Sequence, residues 1–524
     1  MNRRAELQNS LVVMLLIAAV SRSDAAEPAA ESLASRPYYS LFVASIDRCV
    51  AVCDAVFETV DRPDLAATLS ERQKAYRNFA GIDRTKSLGM MAVWNNTRSD
   101  DIVFLPVKDI NELMKTATFD VVEFHASGPN RFEIERPESP YHVLVRNNYA
   151  LFADSLSTIQ ALQVTPEQLT RGSRDRYDVV LQLELKQFPQ PTKVKYIEGL
   201  RALIEPWLQR QDEESTESAN LRKALGKLAL DTYQRLALDT TTATIGAQLD
   251  PKTRHIIFEV VVEAAPASPM ANGLSRLISQ RNEFAPLVSP DVPAGLALNL
   301  PLGGLVDQVL GRKVDPNEKA KRIEAGLQLV GTELGKLSLI AALRGDEAVD
   351  LNVAIPILIA KFEKSGKFIS VDESFDAHKG IVLHSLVPRE LPTAITEMAG
   401  RNVEIIVGQG KQTVWLGIGQ PETLLDRLKD AIELVDEPST DRTAGPLVRA
   451  RFHAKQLPDF LASDLLIPAV DAEASRAAFA KGEDGFSLTL EPVANGIKLR
   501  IEAEEGFVRL IGRDWIKQIE SSLR

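Results

Sequence analysis

The sequence predicts an α+β protein of two related lobes, each an antiparallel or mixed sheet with helices on one face. Three observations carry that prediction. Many segments alternate apolar and polar residues, as half-buried strands do. Long stretches of helical periodicity separate them. The order β-α-β-β recurs along the 524 residues.

Composition sets the outer limits. Hydrophobic residues make up 45% and charged residues 25%, which suits packed cores and excludes a wholly disordered chain. Two cysteines exclude a disulfide scaffold and a Cys-rich zinc or iron–sulfur framework. A net charge of −11 argues against a nucleic-acid partner.

The N-terminus has the three parts of a secretory signal peptide, assigned to residues 1–25. Arg3 and Arg4 form the basic region, Leu11 to Val20 an apolar run, and Ser23-Asp24-Ala25 the cleavage site. The run is shorter than the roughly 20 residues a membrane helix needs. Residues 26–36 are expected to form a mobile leader. The first cysteine is Cys49, too far on for a lipoprotein anchor. No later segment reads as transmembrane. The expectation is a soluble exported protein, periplasmic or secreted. Cys49 and Cys53 lie four apart in a helical pattern, so they are expected reduced and buried on one core face.

The first lobe is placed at residues 37–266. Residues 88–94 and 102–106 read as a hairpin, and Asp109 as the cap of the helix that follows. Residues 141–146 and 149–153 form a second hairpin around Asn147-Asn148, followed by a helix. Residues 177–186 are a strand ending in Lys186-Gln187-Phe188-Pro189. Helices at 193–211 and 221–238 precede the hairpin of 242–249 and 255–263. Residues 267–289 are a connecting helix and linker.

The second lobe is placed at 290–437. Residues 294–300 read as a strand, 303–331 as helical, and 337–343 with 350–359 as a hairpin. Residues 403–408 and 413–417 repeat the construction seen at 141–153, and Pro421 suits the first turn of the next helix. After a linker at 438–446 comes a C-terminal β-α-β-β unit, 447–524. Its first strand ends in Lys455-Gln456-Leu457-Pro458, an echo of Lys186-Gln187-Phe188-Pro189. A helix at 469–480 follows. Its hairpin turns at Asn495-Gly496, a pair that tolerates positive φ. Units 177–263, 294–360 and 447–505 are expected to share one path.

The signal peptide, the missing lipoprotein cysteine, and strand ends such as Phe104-Leu105-Pro106-Val107 and Phe152-Ala153-Asp154-Ser155 resemble large uncharacterised exported proteins typical of planctomycete bacteria. The resemblance implies a bacterial cell envelope and no activity.

Chemistry-bearing motifs are sparse. None of the six histidines lies in a paired metal spacing. His378, His384 and Asp376 could hold Zn or Mn, but read more simply as loop and strand residues. There is no G-x-S-x-G nucleophile elbow. Gly408-Gln409-Gly410-Lys411 lacks P-loop spacing, and Gly417-Ile418-Gly419-Gln420-Pro421-Glu422 lacks the third glycine of a dinucleotide site. No catalytic residue, metal ligand or cofactor is assigned.

One face is unusual. Arg449, Arg451, His453 and Lys455 line the polar side of one strand, and Lys498 and Arg500 belong to a strand of the same unit. Such a stripe could bind an anionic glycan, a lipid head group or an acidic protein segment. Alternatively, it pairs across strands with Glu491 and Glu502. The reading is an exported non-enzymatic envelope protein that binds or scaffolds. The alternative is an exported hydrolase with a site assembled between the lobes.

Overall fold

The computed structural model describes residues 36–75, 79–95, 98–117, 124–135, 140–188, 190–209, 216–277, 282–300, 323–331, 336–345, 367–391, 393–436, 445–457 and 472–523. The signal peptide, most of the leader, nearly all of the linker at 438–446 and the strand expected at 350–359 lie outside them.

In chain order the first elements are β1 (Tyr39–Val43), α1 (Ile46–Thr59), α2 (Pro63–Ala75), β2 (Leu88–Asn95), β3 (Arg98–Pro106) and α3 (Ile110–Ala117). Next come β4 (Phe124–Gly128), β5 (Arg131–Ile134), β6 (Tyr141–Arg146), β7 (Tyr149–Ala153), α4 (Leu156–Ala161) and α5 (Pro166–Thr170). They are followed by β8 (Val179–Leu183), α6 (Gln190–Leu208), α7 (Thr216–Asp239), β9 (Thr240–Leu249), β10 (Ile256–Ala264) and α8 (Pro269–Leu277). The later strands are β11 (Ala294–Leu300), β12 (Ile323–Gly331), β13 (Leu337–Gly345), β14 (Phe368–His378), β15 (Ile381–Pro388), β16 (Glu404–Gln409), β17 (Thr413–Gly419), β18 (Val448–His453), β19 (Gly485–Val493) and β20 (Gly496–Ala503). Between and after them lie α9 (Thr393–Ala399), α10 (Pro421–Asp436), α11 (Ala472–Phe479) and α12 (Glu505–Leu523).

All twenty strands of the described residues belong to one antiparallel sheet. Its spatial order is β4-β5-β6-β7-β3-β2-β1-β8-β9-β10, then β20-β19-β18-β11-β12-β13-β17-β16-β15-β14. Every pairing among the first ten strands recurs ten strands later: β1–β8 has its counterpart in β11–β18, and β3–β7 in β13–β17. The two sets meet where β10 pairs β20, from Ile256 against Ala503 to Glu263 against Gly496.

Residues directly opposite in a ladder point to the same side. One row crosses the centre: Phe42, Val180, Gly246, Glu259, Arg500, Thr489, Arg449 and Ala297. We call this side the front. The front carries two apolar cores. In one, Phe42, Phe104, Leu151 and Val180 pack with Ile159 of α4. In the other, Ala297, Ile340 and Trp415 pack with Leu424 and Leu428 of α10. The back is covered by other helices. Leu249 packs with Ala55 of α1 and Val508 of α12, while Phe452 and Phe486 pack on Phe507 of α12. Helices therefore cover both faces, where the sequence predicts one. The reason is visible in β7, whose five residues are all buried.

Two further expectations are corrected. Residues 323–331 form β12 and not helix, so the hairpin is β12–β13. Glu324, Gly326 and Gln328 face one way and are buried, at a strand's period of two. At the β19–β20 turn the central residues are Ala494 and Asn495, and neither has positive φ. Gly496 already pairs in β20, where a Cβ would strike the Val262 carbonyl. It is glycine for close approach. The Asn147-Asn148 turn does use the left-handed region, at φ 53° and 61°.

Candidate functional site

The polar residues of the centre lie on the front, between the two apolar cores. Their hub is Glu259 of β10, which is 1% exposed. Tyr177 Oη donates to Glu259 Oε2 at 2.6 Å. Arg500 Nη1 donates to Oε1 at 3.0 Å, and Arg176 Nη2 lies 2.7 Å from Oε2. Gly246 makes room for the Tyr177 ring, which a Cβ would strike. Burial pushes the Glu259 carboxyl up, but the Tyr177 and Arg500 hydrogen bonds and the two guanidinium charges outweigh it and hold it low. Burial, then the bond to Glu259, pushes the Tyr177 hydroxyl well up.

The structure places the six predicted stripe residues as follows. Arg500 is on Glu259 and Glu502, Lys498 pairs with Glu491, and Arg451 Nη2 lies 3.9 Å from Glu504 Oε1. His453 Nδ1 lies 3.4 Å from Asp484, and Lys455 Nζ donates to the Gly482 carbonyl at 2.6 Å. Arg449, which is exposed, has no partner among the described residues. Five of the six thus face groups of neighbouring strands or of the segments that flank β19 and β20.

The conceivable metal set is not assembled. Strand alternation puts Asp376 and His378 on the α10 side, where they pair with Lys429 and Glu433. His384 points to the other side and accepts the Ser374 N–H at 3.2 Å. Cys49 and Cys53 are free and half-buried on α1 rather than buried, and burial pushes both thiols up.

Two constellations were not apparent from the sequence. The first is a groove of about 210 Å³ between α6 and α7. Ile197, Leu208, Leu230 and Tyr233 form its apolar walls, and Arg201, Lys223, Lys227 and Asp231 its rim. Those four charged side chains are exposed, and none has an ion-pair partner among the described residues. The groove wall on α7 follows a helical spacing, Lys223, Lys227, Leu230, Asp231 and Gln234. That spacing was legible, but its facing residues on α6 were not. The second constellation joins the two sets of strands. His255 precedes β10, Glu483 precedes β19 and Glu504 follows β20, and one ligand atom from each lies within 4.8 Å of the others.

Among the described residues no helix is long and apolar enough to cross a membrane. No protein-family model, curated protein or solved structure matches the chain.

Proposed function

We propose that this is an exported, non-enzymatic protein of a bacterial cell envelope, periplasmic or secreted, that acts as a binding module for an anionic amphiphile. It belongs with the large exported planctomycete proteins it resembles. Its two lobes descend from one duplicated unit; the recurring strand pairing and the matched 3-10 turns at Leu185–Gln187 and Ala454–Gln456 support that reading. The observation that carries the binding function is the α6–α7 groove. Its floor is apolar, its rim holds three unpaired cations against one carboxylate, and the chain around it is acidic. An acyl chain seats on Ile197, Leu208 and Leu230, and a lipid-type anionic head meets Arg201, Lys223 and Lys227. At about 210 Å³ the groove holds a short acyl segment. It is smaller than the roughly 300–1,000 Å³ pockets of drug-sized ligands.

Titration of the purified protein with dodecyl phosphate, against dodecyltrimethylammonium at equal concentration, tests this. Saturable binding of the phosphate alone is expected, weakening with salt. Equal binding of both surfactants would refute the charge argument. The alternative, an exported hydrolase with a site assembled between the lobes, has its convergent residues in His255, Glu483 and Glu504. Turnover of 4-nitrophenyl acetate or 4-nitrophenyl phosphate that is lost in His255→Gln would favour it.

A further inference from the structure

We propose that His255, Glu483 and Glu504 form a binding site for a divalent first-row cation, with Zn²⁺ as the best match. The donor set is one imidazole nitrogen and two carboxylate oxygens, ligand types that Zn²⁺ accepts, and three protein ligands leave a fourth position open. Tetrahedral Zn²⁺ with bonds of about 2.1 Å sets its ligand atoms about 3.4 Å apart. His255 Nε2 and Glu483 Oε2 are already 3.1 Å apart, and the whole set spans no more than 4.8 Å. Glu483 is 71% exposed, so its side chain is free to close the remaining gap.

Part of the outer shell that metal sites use is in place. A ligating histidine usually gives its second ring nitrogen to a carboxylate, which fixes the tautomer and raises basicity. His255 Nδ1 faces the Glu502 carboxylate, but at 3.8 Å it is beyond hydrogen-bond reach and would have to close on it when a metal binds. Ligating carboxylates are themselves hydrogen-bonded, and Glu504 accepts the Gly485 N–H on Oε2. Gly485 has to be small there, because a Cβ would strike the Glu504 carboxylate. Among the described residues Arg451 is the one Lys or Arg within ion-pair distance of either carboxylate, and at 3.9 Å from Glu504 Oε1 its Nη2 is beyond hydrogen-bond reach. A bound ion would clip the β9–β10 hairpin to both ends of the β19–β20 hairpin, at the sheet's central junction. The competing arrangement is a protonated His255 held between Glu483 and Glu502 with no metal.

Metal-stripped full-length protein is titrated calorimetrically with ZnCl₂. One equivalent should bind. His255→Gln should weaken binding at least 100-fold, and Glu483→Gln, at an exposed position, at least tenfold. Glu502→Gln should weaken it by about tenfold, as outer-shell changes do. Glu491→Gln, on the same sheet but outside the set, should leave it unchanged. Circular dichroism confirms that each variant folds. No stoichiometric Zn²⁺ uptake by the parent protein, or equal affinity in His255→Gln and Glu483→Gln, would overturn the proposal. The readout is binding and not turnover, so its outcome is separate from that of the hydrolase reading and of the groove.

Discussion

The stripe on β18 and β20 and the rim of the α6–α7 groove hold similar numbers of cations but differ in what those cations face. On the sheet, Arg500, Lys498, Arg451 and His453 each meet a carboxylate on a neighbouring strand or turn. On the helical hairpin, Arg201, Lys223 and Lys227 surround an apolar groove with no such partner among the described residues. A run of basic residues in one strand therefore says little about availability. In an antiparallel sheet the next strand places a side chain within reach of each one. Between two helices, an apolar seam can separate the charges and leave them to a ligand.

The comparison breaks most readily at Glu259. Glu259→Ala would leave the Tyr177 hydroxyl without its acceptor and Arg500 with Glu502 as its remaining carboxylate. It should cost about 1–3 kcal/mol, as loss of a buried hydrogen-bond partner does, because both guanidiniums keep access to water, measured by urea unfolding at neutral pH. The sign of its pH dependence follows from the lowered carboxyl. Its stabilisation is fully present above the unfolded glutamate value of about 4.3 and fades as pH falls through the lower folded value. The parent should therefore lose stability below about pH 4 more steeply than Glu259→Gln. Parallel curves would remove Glu259 from the account.

The two faces of β18 give the next contrast. Phe452, on the back, stacks on Phe486 at 4.8 Å and meets Phe507 edge-on at 5.8 Å. Phe452→Ala should destabilise by about 3 kcal/mol through the cavity it leaves. Arg449, on the front of the same strand, should differ from Ala by no more than about 0.5 kcal/mol, as an exposed unpaired side chain. Thermal unfolding of both variants decides this. A large loss in Arg449→Ala would mean that the stripe is an interior network throughout.

Much of the secondary structure was legible because local patterns agreed with it. The hairpins β6–β7, β9–β10, β16–β17 and β19–β20 follow from alternation and turn residues close in sequence. The β12 strand was not legible, since its more buried side carries Glu324 and Gln328 while Ile323, Ala325 and Leu327, on the opposite side, are only half-buried. Polarity read as inside-out there misleads any periodicity argument. Nor was the joining of all strands into one sheet, because β10–β20 and β11–β18 pairings link residues far apart in the chain. At the site, the stripe was legible as a set of residues, together with Glu491 and Glu502 as cross-strand partners. Glu259, Tyr177 and Arg176 were not, because they reach Arg500 only through the β10–β20 contact. His255, Glu483 and Glu504 were hidden for the same reason.

The most direct test sets groove against stripe in one titration with dodecyl phosphate, at fixed ionic strength. The double variant Lys223→Glu/Lys227→Glu changes four charge units at the groove, and Arg449→Ala changes the one unpartnered cation of the stripe. The account predicts at least a tenfold loss of affinity in the groove variant, equivalent to about 1.4 kcal/mol, and parent-like binding in Arg449→Ala. Unchanged affinity in the groove variant, or a loss confined to Arg449→Ala, would contradict it.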